Sequence, residues 1–297
     1  MIKVLDVTHR PIQHVGKMAG ICYSSDISDE AKNYKRGIEC IENNHGRTME
    51  YVDVTLEIDG YSNRMIRELY TTIVGVSRLQ QSTRYVNMSK RFDEYYIPPK
   101  IKSNPDALEA YEDAMWVIKD AYEFLINKGI PKEDAANLVP LGQHTTIVLK
   151  INLRALVNLF AVRTCTRAYI EYREFMNDLR QTLMETDSEW NELCKKYFVT
   201  KCAKVGYCDE KKSCGRYPLK KDVDIVKKDD TNISGTQIPY YSIANSYEFY
   251  YCRCKDLHWG DRVGSTCEKC GGTIPSQHIS STTSTTMDDS YSFEVGI

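Results

Sequence analysis

The sequence predicts an α+β protein with a small cysteine-bearing module near its C-terminal end, on three observations. Val52, Val54, Leu56 and Ile58 alternate with Asp53, Thr55, Glu57 and Asp59, the period of a half-buried strand. Leu108, Tyr111, Met115, Ile118, Tyr122 and Leu125 recur every three or four residues, the stripe of an amphipathic helix over 104–127. Four cysteines, Cys252, Cys254, Cys267 and Cys270, fall within a 19-residue window.

At 297 residues the chain suits one large domain plus an appendage. A hydrophobic share of 42% and a charged share of 27% are those of an ordinary soluble protein. The formal net charge of −2, with no basic excess on either side of Tyr217, argues against a general nucleic-acid binder and leaves room for a local phosphate site. No apolar run approaches the roughly 20 residues that span a bilayer, and the N-terminus lacks the h-region of a signal peptide. A cytoplasmic protein is expected, with no membrane partner. Eleven cysteines in that setting point to reduced thiols and metal rather than a disulfide framework.

Residues 1–7 read as a strand, and a loop containing Cys22-Tyr23-Ser24-Ser25 follows. A helix is predicted from Ser28, as N-cap, to Asn43, with Asp29 and Glu30 in its first turn; His45-Gly46 ends it. The strand over 51–58 closes at Asp59-Gly60. A helix starting near Ser62 or Asn63 turns Met65, Ile66, Leu69 and Tyr70 towards a core. After the helix over 104–127, with Gly129 as its C′ residue, Pro131 to Asp134 begin a further helical turn. Thr145 to Ile151, rich in β-branched residues, read as a strand. Asn152 then opens a long helix to about Glu185. On it Arg163, Arg167, Glu171 and Glu174 recur at three- or four-residue spacing, either as a solvated charge ladder or, for Arg163 in its mainly apolar segment, as a partly buried functional group. Residues 218–246 read as a linker with one strand, 247–275 as a second module, and the Ser/Thr-rich 276–297 as a disordered tail.

Two stretches carry chemistry. Ser77-Arg78-Leu79-Gln80-Gln81-Ser82-Thr83-Arg84-Tyr85 packs hydroxyls, amides, two guanidinium groups and a phenol into nine residues, and Arg84 with Ser82 makes a phosphate-binding pair. The plainer alternative is a polar helix end or turn. Cys252-Arg253-Cys254, twelve intervening residues, then Cys267-Glu268-Lys269-Cys270-Gly271-Gly272 resembles a zinc ribbon, in which four thiolates satisfy tetrahedral zinc. The first pair is CxC rather than CxxC, and His258 is an alternative ligand. A metal would let so small a module fold.

Together these features resemble the flavin-dependent thymidylate synthases, the ThyX family. His45 and Glu50 stand where that family has GHxSxxEH. The strand from Tyr51, with Ser62-Asn63-Arg64, matches its strand and following helix. Ser77, Ser82, Arg84 and Tyr85 are in register with the end of RHRxxSxNExSxRY, and Tyr96-Ile97-Pro98-Pro99 follows. Gly129-Ile130-Pro131 to Leu141 is similar to GIPxEDA…LPL. Asn152, Arg154, Asn158 and Arg163 match polar positions of the family's long helix, and Cys202, Cys208 and Ser213-Cys214-Gly215 a cysteine-bearing ending of some members. The resemblance covers most of residues 1–217. The chain departs from it where Arg47 and Tyr51 replace the serine and second histidine of GHxSxxEH, where Thr72-Ile73-Val74 replaces Arg-His-Arg and reads as core, where Leu79-Gln80 replaces Asn-Glu, and at Ala136, where an arginine is usual.

The resemblance implies a central antiparallel-rich sheet with long helices. It implies methylene transfer from methylenetetrahydrofolate to uracil C5 of dUMP, giving dTMP, with FAD carrying hydride and NADPH reducing it. Arg163 would polarise the uracil and bind substrate together with Gln80, Ser82 and Arg84. His45, Ser77, Asn152, Arg154 and Asn158 would contact the cofactor. Such enzymes are homotetramers, so a tetramer is expected, with a further partner at the cysteine module. The competing expectations are a related enzyme acting on another pyrimidine nucleotide with altered flavin use, and a non-catalytic scaffold that binds partners through its zinc ribbon.

Overall fold

The computed structural model describes residues 1–223 throughout, and beyond them the backbone of four short strands between residues 226 and 259. Its centre is a four-stranded antiparallel sheet in the order β1-β2-β4-β3. The strands are β1 (Ile2–Val7), β2 (Asp53–Ser62), β3 (Val76–Gln80) and β4 (His144–Asn152). One face is apolar: Val54, Leu56 and Ile58 of β2 and Ile147, Leu149 and Ile151 of β4 are fully buried. The α+β architecture and the antiparallel sheet are as expected.

Between β1 and β2 lie α1 (Pro11–Cys22), α2 (Glu30–Glu42) and the single turn α3 (Gly46–Met49). The sequence pattern predicts no helix before Ser28, and the structure corrects this with α1. Gly16 and Gly20, which discourage a helix assignment, serve close packing: a Cβ on Gly16 would lie 1.8 Å from the Asn33 carbonyl oxygen, and one on Gly37 1.9 Å from that of Ile12. Nor does a local residue cap α1. Arg10 precedes it in the left-handed region, and the buried carboxylate of Glu189, 177 residues away from Ile12, accepts from the Ile12 and Gln13 N–H groups at 2.7 and 3.0 Å. The cap of α2 is Asp29, which accepts from Lys32 N, rather than Ser28.

β2 does not close at Asp59-Gly60. It runs through Gly60, at φ +81°, with a bulge between Ile58 and Tyr61, and ends at Ser62. The Ser62 hydroxyl caps α4 (Asn63–Leu69) by accepting from Met65 N at 3.1 Å. Met65, Ile66 and Leu69 of α4 are buried as expected, but Tyr70 is exposed. Beyond β3 come α5 (Pro99–Lys102), α6 (Pro105–Asn127) and α7 (Lys132–Ala135). Of the expected stripe on α6 only Met115 and Tyr122 are buried, while Trp116, Val117 and Phe124 face outward.

The long helix predicted from Asn152 is two helices. α8 (Leu153–Arg163) stops where Thr164 bonds its hydroxyl back to the Phe160 carbonyl, and α9 (Ile170–Met184) restarts after Tyr169. The break dissolves the charge ladder: Arg167 sits in the connection and pairs with Glu210, and Glu171 is buried. Two helices that the sequence pattern does not resolve follow, α10 (Ser188–Lys196) and α11 (Lys201–Val205). Cys208 bonds Pro218 and Lys220 through its backbone, so packing continues to Val223. The pairs Val226–Lys227 with Tyr241–Ser242, and Phe249–Tyr251 with Leu257–Trp259, are antiparallel. The linker beyond 223, the side chains of the 247–275 module and the 276–297 tail lie outside the described residues, apart from those short backbones.

Two predictions test this packing. Gly37→Ala forces a Cβ into the backbone of α1, and is expected to cost about 2–3 kcal/mol of unfolding free energy in denaturant titration; an unchanged midpoint would refute the close crossing. Glu171, only 2% exposed, accepts from Ser62 N at 2.6 Å and from the Ser62 hydroxyl. Burial raises its pKa, and the bonds from Ser62 oppose that only in part. Because the folded pKa lies above the unfolded value of about 4.3, stability is lost as pH rises from that value through the folded one. Glu171→Gln keeps an acceptor for Ser62 N, so its stability should fall less with pH over that window. Parallel stability-versus-pH curves for the two proteins would sink the account.

Candidate active site

Four of the candidate residues, Asn152, Arg154, Asn158 and Arg163, lie on α8 or at its start, where it runs beside the loop between α4 and β3. Asn152 fixes one end of this surface: its N–H donates to the Gly75 carbonyl at 3.0 Å, and its side chain caps α8 by accepting from Ala155 N at 2.9 Å. Gly75 has φ +74°, and a Cβ there would lie 2.5 Å from Asn152 Nδ2. Arg163 fixes the other end. Its Nη1 donates to Glu68 Oε2 at 3.2 Å, its Nη2 to Thr71 Oγ1 at 3.0 Å, and its guanidinium carbon stands 4.8 Å from the centre of the Tyr172 ring. Loop 71–75 therefore lies antiparallel along α8, Thr71 at the Arg163 end and Gly75 at the Asn152 end.

The exposed face between these anchors mixes donors with apolar surface. Arg154 and Asn158 project from α8, and Val162 is 61% exposed one turn further on. Ile73 and Val74 of the loop are 74% and 77% exposed. That corrects the reading of Thr72-Ile73-Val74 as core: the two aliphatic side chains face outward along this surface.

Arg154 Nη1 pairs with Glu50 Oε1 at 2.6 Å, which ties α8 to the end of α3. Gly46 packs against the same arginine, since a Cβ there would meet Arg154 Nε at 2.6 Å. His45, just before it, lines an open cleft of about 470 Å³ together with Tyr23, Arg36, Cys40 and Arg47. Ser77, exposed on the edge strand β3, pairs in register with Lys150.

The remaining candidates stand at the far end of β3. Gln80 Nε2 donates to Asn63 Oδ1 at 3.0 Å and to Thr145 Oγ1 at 3.3 Å. Arg84 Nε holds Glu133 Oε2 at 2.8 Å, and Arg84 N donates to the Ser82 hydroxyl at 3.3 Å. Ser77–Tyr85 is thus an edge strand running into a loop, not a helix end. From Val76 to Ser82, two residues past the end of β3, is about 20 Å of extended chain. One copy of the chain brings Asn152, Arg154, Asn158 and Arg163 to one surface, with Ser77 beside it, and leaves Ser82 and Arg84 apart.

The profile of the family described as thymidylate synthase complementing protein matches residues 3–187. The chain belongs to this family. It is 31% identical over 235 residues to the flavin-dependent thymidylate synthase of Nitratidesulfovibrio vulgaris, covering 75% of this chain and 93% of that one. It is 26% identical over 224 residues to that of Pyrococcus furiosus, covering 71% and 89%. Among solved structures, the UMP/dUMP methylase PolB from Streptomyces cacaoi, bound with 5-Br dUMP, superposes with a TM-score of 0.57 at 16% identity, over 67% of this chain and 96% of its own. ThyX from Helicobacter pylori, complexed with FAD and dUMP, gives 0.50 at 19%, over 66% and 97%. At these identities the two structures show a shared fold.

Within this thymidylate synthase complementing fold, sequence reasoning misses Glu68, Thr71 and Tyr172 as partners of Arg163, and, although it names Glu50 as a motif residue and Glu133 in a helical turn, it does not pair them with Arg154 and Arg84. Most lie far along the chain from their arginine, and no local spacing marks them. Cys202 stands beside Cys208, with Cys165 and Cys214 near enough to influence it; burial first, then these neighbours, push its thiol up to about 12. Among the described residues, no three His, Cys, Asp or Glu side chains form a metal-binding group. The four C-terminal cysteines lie outside the described residues. Among the described residues no helix is long and apolar enough to cross a membrane.

Proposed function

We propose that this chain is a flavin-dependent thymidylate synthase, converting dUMP to dTMP with a one-carbon unit from methylenetetrahydrofolate. Family membership and two synthase relatives support the reading. The observation that carries it is Arg163, partly buried between Glu68, Thr71 and Tyr172 at one end of a surface whose other end presents Arg154. A guanidinium fixed by hydrogen bonds and a ring face is preorganised to stabilise charge that develops on a uracil ring. Ser82 and Arg84 are assigned to the nucleotide phosphate, and Gln80 to the substrate side of β3.

The donor set along α8 fits FAD. Asn158 and Ser77 offer polar side chains towards solvent, Arg154 a cation, and Ile73, Val74 and Val162 apolar surface for a flat ring. Asn152 and His45 complete the assigned cofactor contacts. The chemistry that bound FAD supplies is hydride carriage, from NADPH to the transferred carbon. The residues of this chain bind and orient; none of its cysteines is needed as a nucleophile in this scheme.

Ser82 lies about 20 Å of extended chain from the Asn152 end of this surface, counted from Val76, and Arg84 is held by Glu133 rather than by a residue of α8, so a complete site is assigned to more than one copy. The large apolar side chains exposed near β3, Leu79 at 75% and Tyr85 at 73%, are the kind a neighbouring copy covers. A homotetramer with residues 1–217 as the catalytic unit, followed by a 218–246 linker, a zinc ribbon over 247–275 and a disordered tail, completes the proposal. The zinc ribbon is assigned a partner-binding role and the enzyme a cytoplasmic location. The exposed Ile73 and Val74 favour one second reading, in which a pyrimidine nucleotide binds the same surface with altered flavin use.

Three measurements test these assignments. Purified protein should show a flavin absorption spectrum that dUMP perturbs, and should form dTMP from dUMP, methylenetetrahydrofolate and NADPH. A colourless protein with added FAD and no dTMP would overturn the proposal, and nucleotide binding without flavin would select the second reading. Glu133→Gln frees Arg84 from an exposed pair worth up to about 1 kcal/mol, so KM for dUMP should fall about two- to fivefold; a rise would contradict the phosphate role. In light scattering the wild type should run as four copies and Leu79→Asp as fewer, whereas a monomeric wild type would remove the shared site.

A further inference from the structure

Arg78 lies in the middle of β3, and its side chain turns back under the loop that precedes the strand. Nη1 donates to the Thr72 carbonyl at 2.8 Å and to the Leu69 carbonyl at 3.3 Å. Its guanidinium carbon stands 4.5 Å from the centre of the Tyr70 ring. These contacts all fall on residues 69–72. Arg163 grips the same segment from the other side, through the side chains of Glu68 and Thr71. One arginine thus holds the backbone of the segment and the other holds its side chains.

Leu69 roots the start of the segment in the core, while Ile73 and Val74 beyond it are exposed and Gly75 is fixed through its backbone to Asn152. Between those two fixed points, Arg78 is the side chain that takes the carbonyls at both ends of residues 69–72. Thr71 Oγ1 donates to the Glu68 carbonyl at 2.7 Å, so the segment whose carbonyls Arg78 takes includes or adjoins both residues that anchor the Arg163 guanidinium.

We propose that Arg78 is a positioning residue for Arg163, fixing the 68–72 segment that carries Arg163's two anchors. The inference rests on the reading of Arg163 as the group that acts on the substrate ring. An arginine suits this role because its planar fork reaches two carbonyls while its face lies on Tyr70, whereas a lysine ammonium is a point donor without that stacking face. A displaced guanidinium in an otherwise folded enzyme lowers turnover more than it weakens substrate binding, because correct placement matters most in the transition state.

The test is a set of full-length variants compared by kcat, by KM for dUMP and by thermal unfolding. Arg78→Ala should lower kcat about tenfold or more with KM for dUMP changed by less, and Arg78→Lys should recover part of the loss. Thr71→Val removes one anchor directly and should reproduce the effect, which keeps the test open should Arg78→Ala fold poorly. In an Arg163→Lys background Arg78→Ala should add little, since the two residues act through one segment. A wild-type kcat for Arg78→Ala, or a full and additive loss in the Arg163→Lys background, would overturn the proposal. If Arg163→Lys itself turns over as the wild type does, the reading of Arg163 fails instead, and the two failures are told apart.

Discussion

Asn152 is the junction on which the site depends. It is the last residue of β4, its side chain caps α8, and its backbone N–H holds the Gly75 carbonyl. One residue therefore sets where the strand ends, where the helix begins and where the 70–75 loop must lie. Gly75 is the matching constraint: its positive φ and the 2.5 Å approach that a Cβ would make to Asn152 leave no room for a side chain. With both ends of the loop tied to α8, the polar face of the helix and the apolar tip of the loop form one surface.

The electrostatics of that surface follow a single pattern. Arg154, Arg163 and Arg84 each hold a glutamate: Glu50, Glu68 and Glu133 respectively. Such pairs contribute little to stability when exposed, because water competes with the partner at small cost. They still fix long side chains in an extended pose without closing them to an anionic ligand. Arg163 is the least exposed of the three, with its side chain at 23%. Of the three pairs, that of Arg163 is the least screened by water, so its charge and its geometry both count for most there.

Regular elements are legible where local sequence carries the cause. β2 and β4 alternate or are β-branched, α6 has its stripe and its Asn104 cap, and Ser62 caps α4, so these can be read directly. What fails is non-local. α1 takes its N-terminal cap from Glu189 on α10, and its glycines serve a helix crossing rather than a turn. The break between α8 and α9 contains no proline or glycine to announce it. The candidate arginines follow from a polar pattern on one helix and strand, while their carboxylate partners, set by folding alone, do not. The reading of Ile73 and Val74 as core fails because apolar character does not tell burial in a chain from cover by something else.

That last failure bears on how a site of this kind is assembled. Among the described residues β3 is an edge strand, paired with β4 alone, and carries Ser77, Leu79 and Gln80 exposed. An edge with outward apolar side chains invites association. It also carries the chain about 20 Å from Val76, beside Asn152, to Ser82, where Arg84 is held by Glu133 rather than by a residue of α8. β3 is held in register with β4 along its length, which fixes that spacing. The proposed assignment of Arg163 and Arg84 to one nucleotide therefore leans on a second copy, for which the exposed Ile73, Val74 and Leu79 offer apolar surface.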